Sequence, residues 1–263
     1  MKRISFILAL VLFLAACGTK DSTTASFSGE TSTFNHTYED IGLELTADIT
    51  VAQDIEVKAT LKNVSGKTLE YNGRCGVPFY ISMKMKDTSV YLANDQELLA
   101  CEDIFDPNDI EKMKVNESFE KTVIFKREFD MFNTEKTPAH DGDYTIEFTF
   151  TTYGDGHFFS EYPIYLKNDT EPKILTLEEA KYKALNDPKV KKWHDELKED
   201  GVEIKTGHPF LSEGNWYLSF HAVYDDKVAR LVVAVDYNTG EVKRVNTEEF
   251  EHDESMDSWL DNH

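Results

Sequence analysis

The stretch Leu43-Glu44-Leu45-Thr46-Ala47-Asp48-Ile49-Thr50-Val51 alternates apolar and polar residues without a break. A period of two puts Leu43, Leu45, Ala47, Ile49 and Val51 on one face, the pattern of a half-buried antiparallel strand. Three further runs repeat it: Ile55, Val57, Ala59, Leu61; Phe79, Ile81, Met83, Met85; and Tyr144, Ile146, Phe148, Phe150. Turn residues separate them at Asn63-Val64-Ser65-Gly66-Lys67, Asp106-Pro107-Asn108-Asp109 and Asp141-Gly142-Asp143. Short strands at this spacing predict an all-β sandwich of about seven strands over residues 38–170.

After Pro172 the period changes. Thr176 is an N-cap with Glu179 three residues on, a capping box, and Leu177, Ala180, Ala184 and Leu185 recur at helical spacing. Asp187-Pro188 opens a second helix, since proline suits the first helical position, and Val190, Trp193 and Leu197 give it one apolar stripe. Strands follow at 216–224, 229–235 and 241–245, the last two joined by the tight turn Asp236-Tyr237-Asn238-Thr239-Gly240. Residues 174–247 therefore read as a small α+β domain. The remainder, 248–263, is an acidic tail in which Met256, Trp259 and Leu260 share one helical face; the expectation is a solvated end.

The 263 residues carry 28 basic and 49 acidic side chains, a net charge of −21. That balance argues against nucleic acid as a partner, because phosphates require a basic face. It also argues against flat docking on an anionic surface without divalent cations, and solubility of an exported chain is explanation enough for the acidity. Aromatic residues make up 12% of the chain, enough to fill a core, so it reads as globular and not as a disordered acidic chain. Beyond Cys17 there are two cysteines, Cys75 and Cys101, which in an exported chain read as a disulfide; two free buried thiols are the alternative. A bridge closing about 26 residues is worth about 3.5 kcal/mol in the loop-entropy model.

Met1-Lys2-Arg3 is a positive start, Ile4 to Leu14 an apolar run, and Leu14-Ala15-Ala16-Cys17 closes it with small residues before a cysteine. Eleven helical residues span about 16 Å, short of the roughly 30 Å hydrocarbon core, so the run suits a signal peptide and not a membrane span. The segment resembles the lipobox of bacterial lipoprotein signal peptides. The resemblance implies removal of residues 1–16 and acylation of Cys17 with palmitate-type chains, which anchor the protein on the extracytoplasmic face of the cell membrane. Loss of Lys2 and Arg3 takes the basic count from 28 to 26 against 49 acidic residues, a balance of −23. Residues 17–37, rich in Ser and Thr, are expected to form a flexible tether. Behind a bacterial lipobox, the Asn-x-Ser/Thr sequons at Asn35, Asn63, Asn116 and Asn168 carry no weight.

Two further resemblances attach to the folded part. Leu61-Lys62-Asn63-Val64-Ser65-Gly66-Lys67-Thr68-Leu69 resembles the N-x-S-G-K-x-L turn of immunoglobulin-like domains on bacterial surface proteins. Asp141-Gly142-Asp143-Tyr144-Thr145-Ile146 resembles the start of one of their strands. Within that group the chain is similar, over residues 40–168, to the intracellular proteinase inhibitor family of bacilli, but it departs in its export signal and in Cys75 and Cys101. Farther on, Thr176 to Ala184, Gly214 to Phe220 and Val233 to Val242 resemble the PepSY domain of peptidase propeptides and envelope proteins. These resemblances imply an immunoglobulin-like sandwich followed by a non-catalytic module that binds or restrains proteases. Building a hairpin is all that Asp236, Thr239 and Gly240 physically need to do, so this motif supports fold more than function.

No catalytic constellation assembles. The eight histidines are scattered, with no His-Glu-x-x-His spacing, and the chain has neither a Gly-x-Ser-x-Gly elbow nor a phosphate-binding Gly-x-x-x-x-Gly-Lys-Ser/Thr loop. Asp106-Pro107-Asn108-Asp109-Ile110-Glu111 lacks the register of a calcium loop and reads as a solvated turn. Tyr153-Gly154-Asp155-Gly156-His157-Phe158-Phe159 sets aromatics beside glycines, as a binding loop does, although a plain hairpin with core aromatics is the better account. The expectation is therefore a lipid-anchored binding protein that is not an enzyme and needs no cofactor or metal. Its expected partner is a protein, an envelope or secreted protease; the alternative is an envelope polymer or a membrane protein.

Overall fold

The computed structural model describes residues 24–25, 29–96, 106–131, 137–154, 156–167, 173–224 and 227–251; Cys17, Cys101 and residues 252–263 lie outside them. In chain order the first strands are β1 (Thr24–Ala25), β2 (Glu30–Tyr38), β3 (Leu43–Val51), β4 (Ile55–Asn63), β5 (Leu69–Asn72) and β6 (Phe79–Met85). Then come β7 (Leu92–Asn94), a 3-10 turn (Pro107–Asp109), β8 (Ile110–Met113), β9 (Ser118–Phe129), β10 (Thr137–Pro138), β11 (Gly142–Thr152) and β12 (Gly156–Leu166). Two helices follow, α1 (Leu177–Leu185) and α2 (Pro188–Glu199). The chain continues through β13 (Ile204–Thr206), β14 (Phe210–Ser212), β15 (Asn215–Tyr224), β16 (Lys227–Asp236) and β17 (Val242–Glu251). The described residues are mostly β, with 59% of them in strands and two short helices among them.

The larger sheet runs β10-β9-β4-β3-β2, with β7 also on β9, and the smaller runs β1-β12-β11-β6. The four alternating runs of the sequence are β3, β4, β6 and β11, and every apolar position in them is buried. The two sheets meet through aromatic rings. Phe34 of β2 stacks on Phe148 of β11 at 5.7 Å and tilts against Tyr162 of β12 at 5.4 Å, while Tyr38 meets Phe158 at 5.8 Å. Such pairs contribute about 0.5–1.5 kcal/mol each beyond the area they bury.

These contacts correct the tether expected over 17–37. Residues 30–37 belong to β2, paired along its whole length with β3. Its threonines favour an extended backbone, and Ser32, Phe34, His36 and Tyr38 alternate toward the opposite sheet.

Asn63 ends β4 fully buried. Its amide donates to the carbonyls of Lys67, Met113 and Lys114 at 2.8, 3.0 and 3.2 Å, and its oxygen accepts from the Ser65 N–H and hydroxyl. The N-x-S-G-K turn is thereby tied to the chain that follows β8. Each group orphaned by its loss would cost about 1–3 kcal/mol. Gly42, at φ +68°, lies under Ser65, where a Cβ would stand 2.3 Å from the Ser65 Cα, so only glycine fits.

In the C-terminal part, the antiparallel sheet β13-β15-β16-β17, with β14 also on β15, packs against α1. The Thr176–Glu179 capping box is present, and Pro188 opens α2 behind the Asp187 N-cap. Trp216 is fully buried and donates its indole N–H to the Leu175 carbonyl at 2.8 Å. In the hairpin, the Asp236 carboxylate accepts the N–H groups of Asn238 and Thr239, which hold its pKa below the ordinary value. β17 extends to Glu251, so the first four residues of the expected acidic tail are strand, Glu248 lying opposite Arg230 and Glu249 opposite Ala229.

The two parts meet where the Ser89 N–H donates to the Pro209 carbonyl at 2.8 Å and where His140 sits 3% exposed. The His140 ring stands edge-on to Phe129, and neither ring nitrogen completes a hydrogen bond. Burial lowers its pKa, outweighing the Ile174 carbonyl, Glu179 and Asp141, which favour the charged form. A depressed histidine pKa means stability is full above the unfolded value of 6.5 and falls as pH drops below it, because only the unfolded chain accepts the proton freely. We expect the urea midpoint to fall between pH 7.5 and 5.5, and His140→Phe to flatten that slope. An unchanged slope in the variant would assign the acid sensitivity to another group.

Candidate functional site

At one pole of the two-sheet layer, a cleft of about 260 Å³ is lined by Asn72, Cys75, Pro78, Tyr80, Thr151, Thr152 and Tyr153. None of these side chains carries a formal charge at neutral pH, on a chain of net charge −21.

Three pieces of chain build the cleft. The first is the β5–β8 ribbon, where Leu69 lies opposite Met113 and Asn72 opposite Ile110. It is anchored by buried Tyr71, whose hydroxyl donates to Glu111 at 2.8 Å; burial, then Glu111, pushes the Tyr71 pKa up to about 12. Beyond β5, the Asn72 side chain accepts the Arg74 N–H, the Gly73 N–H donates to Asp109, and Gly76 closes the turn onto the Gly73 carbonyl. Gly73 lies where a Cβ would stand 2.4 Å from the Glu111 side chain. Cys75 sits in this turn and is disulfide-bonded.

The second piece is β6. Its outward Tyr80 is 48% exposed, with the Lys121 ammonium 5.1 Å from the ring centroid. Lys121 also donates to the Phe79 carbonyl at 2.8 Å, and its pKa is lowered by burial. The third is the β11–β12 hairpin. The Tyr153 N–H donates to the Glu70 carbonyl, and the Thr152 hydroxyl to the Gly156 carbonyl at 3.0 Å. The Thr151 hydroxyl and His157 Nδ1 lie 2.9 Å apart.

Farther along the same outer sheet face, Lys84 and Glu147 pair at 2.6 Å, and the Ser82 hydroxyl donates to Glu147. Burial opposes the Lys84 charge, but Glu147 outweighs it and the pKa goes up. Elsewhere, a groove of about 410 Å³ between α2 and β17 is lined by Lys189, Lys192, Trp193, Glu196, Thr247, Glu248 and Glu249. Its mixed charges distinguish it from the cleft.

Of the loops singled out in the sequence, the one at Tyr153 lines the cleft. The one at Asp106 does not: Asp106 caps the 3-10 turn by accepting the Asn108 N–H. Asn72, Pro78 and Tyr80 are cleft residues that sequence reasoning missed, because register across three separate strands brings them together. Cys17 and Cys101 lie outside the described residues. Among the described residues, no group of three or more His, Cys, Asp or Glu is placed to hold a metal ion. Nor is any helix among them long and apolar enough to cross a membrane.

No family model and no curated protein matches the chain. Among solved structures, the chain is similar to the sporulation control protein Spo0M of Bacillus subtilis, at 9% identity and a TM-score of 0.21, over 88% of this chain and 91% of that one. A likeness at that score carries no argument about fold or function.

The disulfide has a direct check. In the folded, unreduced protein Cys75 is expected to resist alkylation, and peptide mapping is expected to join it to Cys101. Two alkylatable thiols at these positions would overturn the pairing.

Proposed function

We propose that this chain is a lipid-anchored extracytoplasmic binding protein without catalytic activity, which acts by contact through the pole around Tyr80, Cys75 and Tyr153. The observation that carries this reading is the cleft: uncharged, flanked by two half-exposed tyrosines, on an otherwise strongly acidic chain. Concave, largely apolar sites with a few polar groups are where ligands and partner side chains seat. In this reading the two-sheet layer is an immunoglobulin-like sandwich, the C-terminal part is a PepSY-like domain, and Cys17 carries the lipid.

The partner is an envelope or secreted protease whose activity the protein regulates or inhibits. The sequence resemblances of both parts support that choice. The cleft rim supports it physically, because backbone held by a disulfide at Cys75 and by the Gly73–Asp109 and Tyr153–Glu70 bonds opens less and so resists cleavage. A second reading, binding to an envelope polymer, is favoured by the exposed aromatics that continue from the cleft onto the sheet face.

The test uses the full chain in detergent micelles against secreted and membrane proteases, with binding and residual activity recorded together. Stoichiometric binding with loss of activity is expected, weakened about tenfold by Tyr153→Ala, the worth of one buried interface aromatic. Absence of any complex, with the chain left uncut, would remove the protease as partner. The anchor is tested separately: Cys17→Ser is expected to move the protein out of the membrane fraction, and retention there would overturn lipidation at Cys17.

A further inference from the structure

The outer face of the smaller sheet carries a row of side chains fixed by register. Tyr80 of β6 lies opposite Thr149 of β11, and Thr149 lies opposite Phe159 of β12. All three point away from the core, because their neighbours Phe79, Ile81, Phe148, Phe150 and Phe158 point into it. Tyr80 is 48% exposed and Phe159 47%. Two large rings thus stand in water on either side of a threonine, two strand spacings or about 10 Å apart.

Charge narrows what such a face accepts. On a chain of net charge −21, the row itself carries none. In the next row, the Glu147 charge is already met by Lys84 at 2.6 Å and by the Ser82 hydroxyl, and Glu161 is exposed. Lys121, the cation at Tyr80, already bonds the Phe79 carbonyl and lies on the ring, so an anionic polymer meets an otherwise acidic protein; a cationic segment finds no free pair of carboxylates in the row. A neutral ligand with apolar faces and many hydroxyls meets neither obstacle. Sugar rings have that chemistry: their C–H faces lie on the negative face of an aromatic ring, and their hydroxyls bond to threonine. The separation of the rings matches two sugar residues of an extended β-1,4-linked chain, in which alternate residues present the same side.

We propose that this face is a platform for a neutral, extended β-1,4-linked polysaccharide. Phe159 and Tyr80 stack on sugars one disaccharide apart, and the Thr149 hydroxyl bonds to the sugar between them. Thr151, in contact with His157, extends the polar strip toward the hairpin. The platform is built in advance, since the backbone of all three strands is paired and Lys121 sits on the Tyr80 ring. The proposal rests on the reading of the chain as a contact protein and deepens its polymer branch.

The experiment titrates the full chain in detergent with cellohexaose and chitohexaose by calorimetry, with dextran, an α-linked polymer, as control. Saturable binding to at least one β-1,4 hexaose and none to dextran is expected. Phe159→Ala and Tyr80→Ala should each weaken it at least about tenfold, as removal of one stacked ring does, with the thermal midpoint unchanged. Phe159→Tyr should retain it. No binding to either hexaose, or binding indifferent to Phe159→Ala, overturns the platform while leaving a protease complex through Tyr153 untouched. A protease complex abolished by Phe159→Ala would assign the face to a protein, and would also overturn it.

Discussion

The contact on which the two-sheet layer depends is Phe34 against Phe148 and Tyr162. It joins the edge strand of one sheet to the two inner strands of the other, and so closes the layer on that side. On the same side Tyr38 meets Phe158, and the Tyr162 hydroxyl donates to Ser32. Closing this side at one end leaves the other sheet edge, at β6, to be finished by different means. There Lys121 reaches across from β9 to the Phe79 carbonyl. The two-sheet layer, closed by rings at β2, has Lys121 at its β6 side, beside the cleft at Tyr80.

Strict alternation made β3, β4, β6 and β11 legible in the sequence, because each buries one whole face and exposes the other. β2 was hidden by its composition: Ser and Thr carry the signature of a linker, and its packing rests on two aromatics spaced among them. The end of β17 was hidden for the converse reason. Glu248, Glu249 and Glu251 look like a solvated tail, yet an exposed edge strand tolerates charges and gains Arg230 opposite Glu248. The cleft was legible at Tyr153 alone. Asn72 and Tyr80 are ordinary strand residues until the β5–β8 ribbon and β6 meet the hairpin, and no local spacing encodes that meeting.

Two of the motifs that first suggested relatives are accounted for here by turn chemistry. Asn63 and Ser65 satisfy five hydrogen-bonding groups in a buried corner, and Asp236 gathers two backbone N–H groups in the hairpin. Residues fixed by such local demands recur wherever a strand must stop and return, so they report architecture. Outside those turns, Tyr153 and Phe159 are each about half exposed.

The order in which the chain enters the fold has a mechanical consequence. Tension transmitted from the N-terminal side first reaches β1, whose two residues run parallel to the end of β12 at Tyr165 and Leu166, and then β2. A pull along β2 loads its nine pairings with β3 in shear, all stretched together, whereas a pull across the sheet would peel them one at a time. The short β1 clip is thus a sacrificial first link. Behind it, the strand that carries the inter-sheet rings is also the one that bears the load, so the fold would yield under force where its aromatic closure is made.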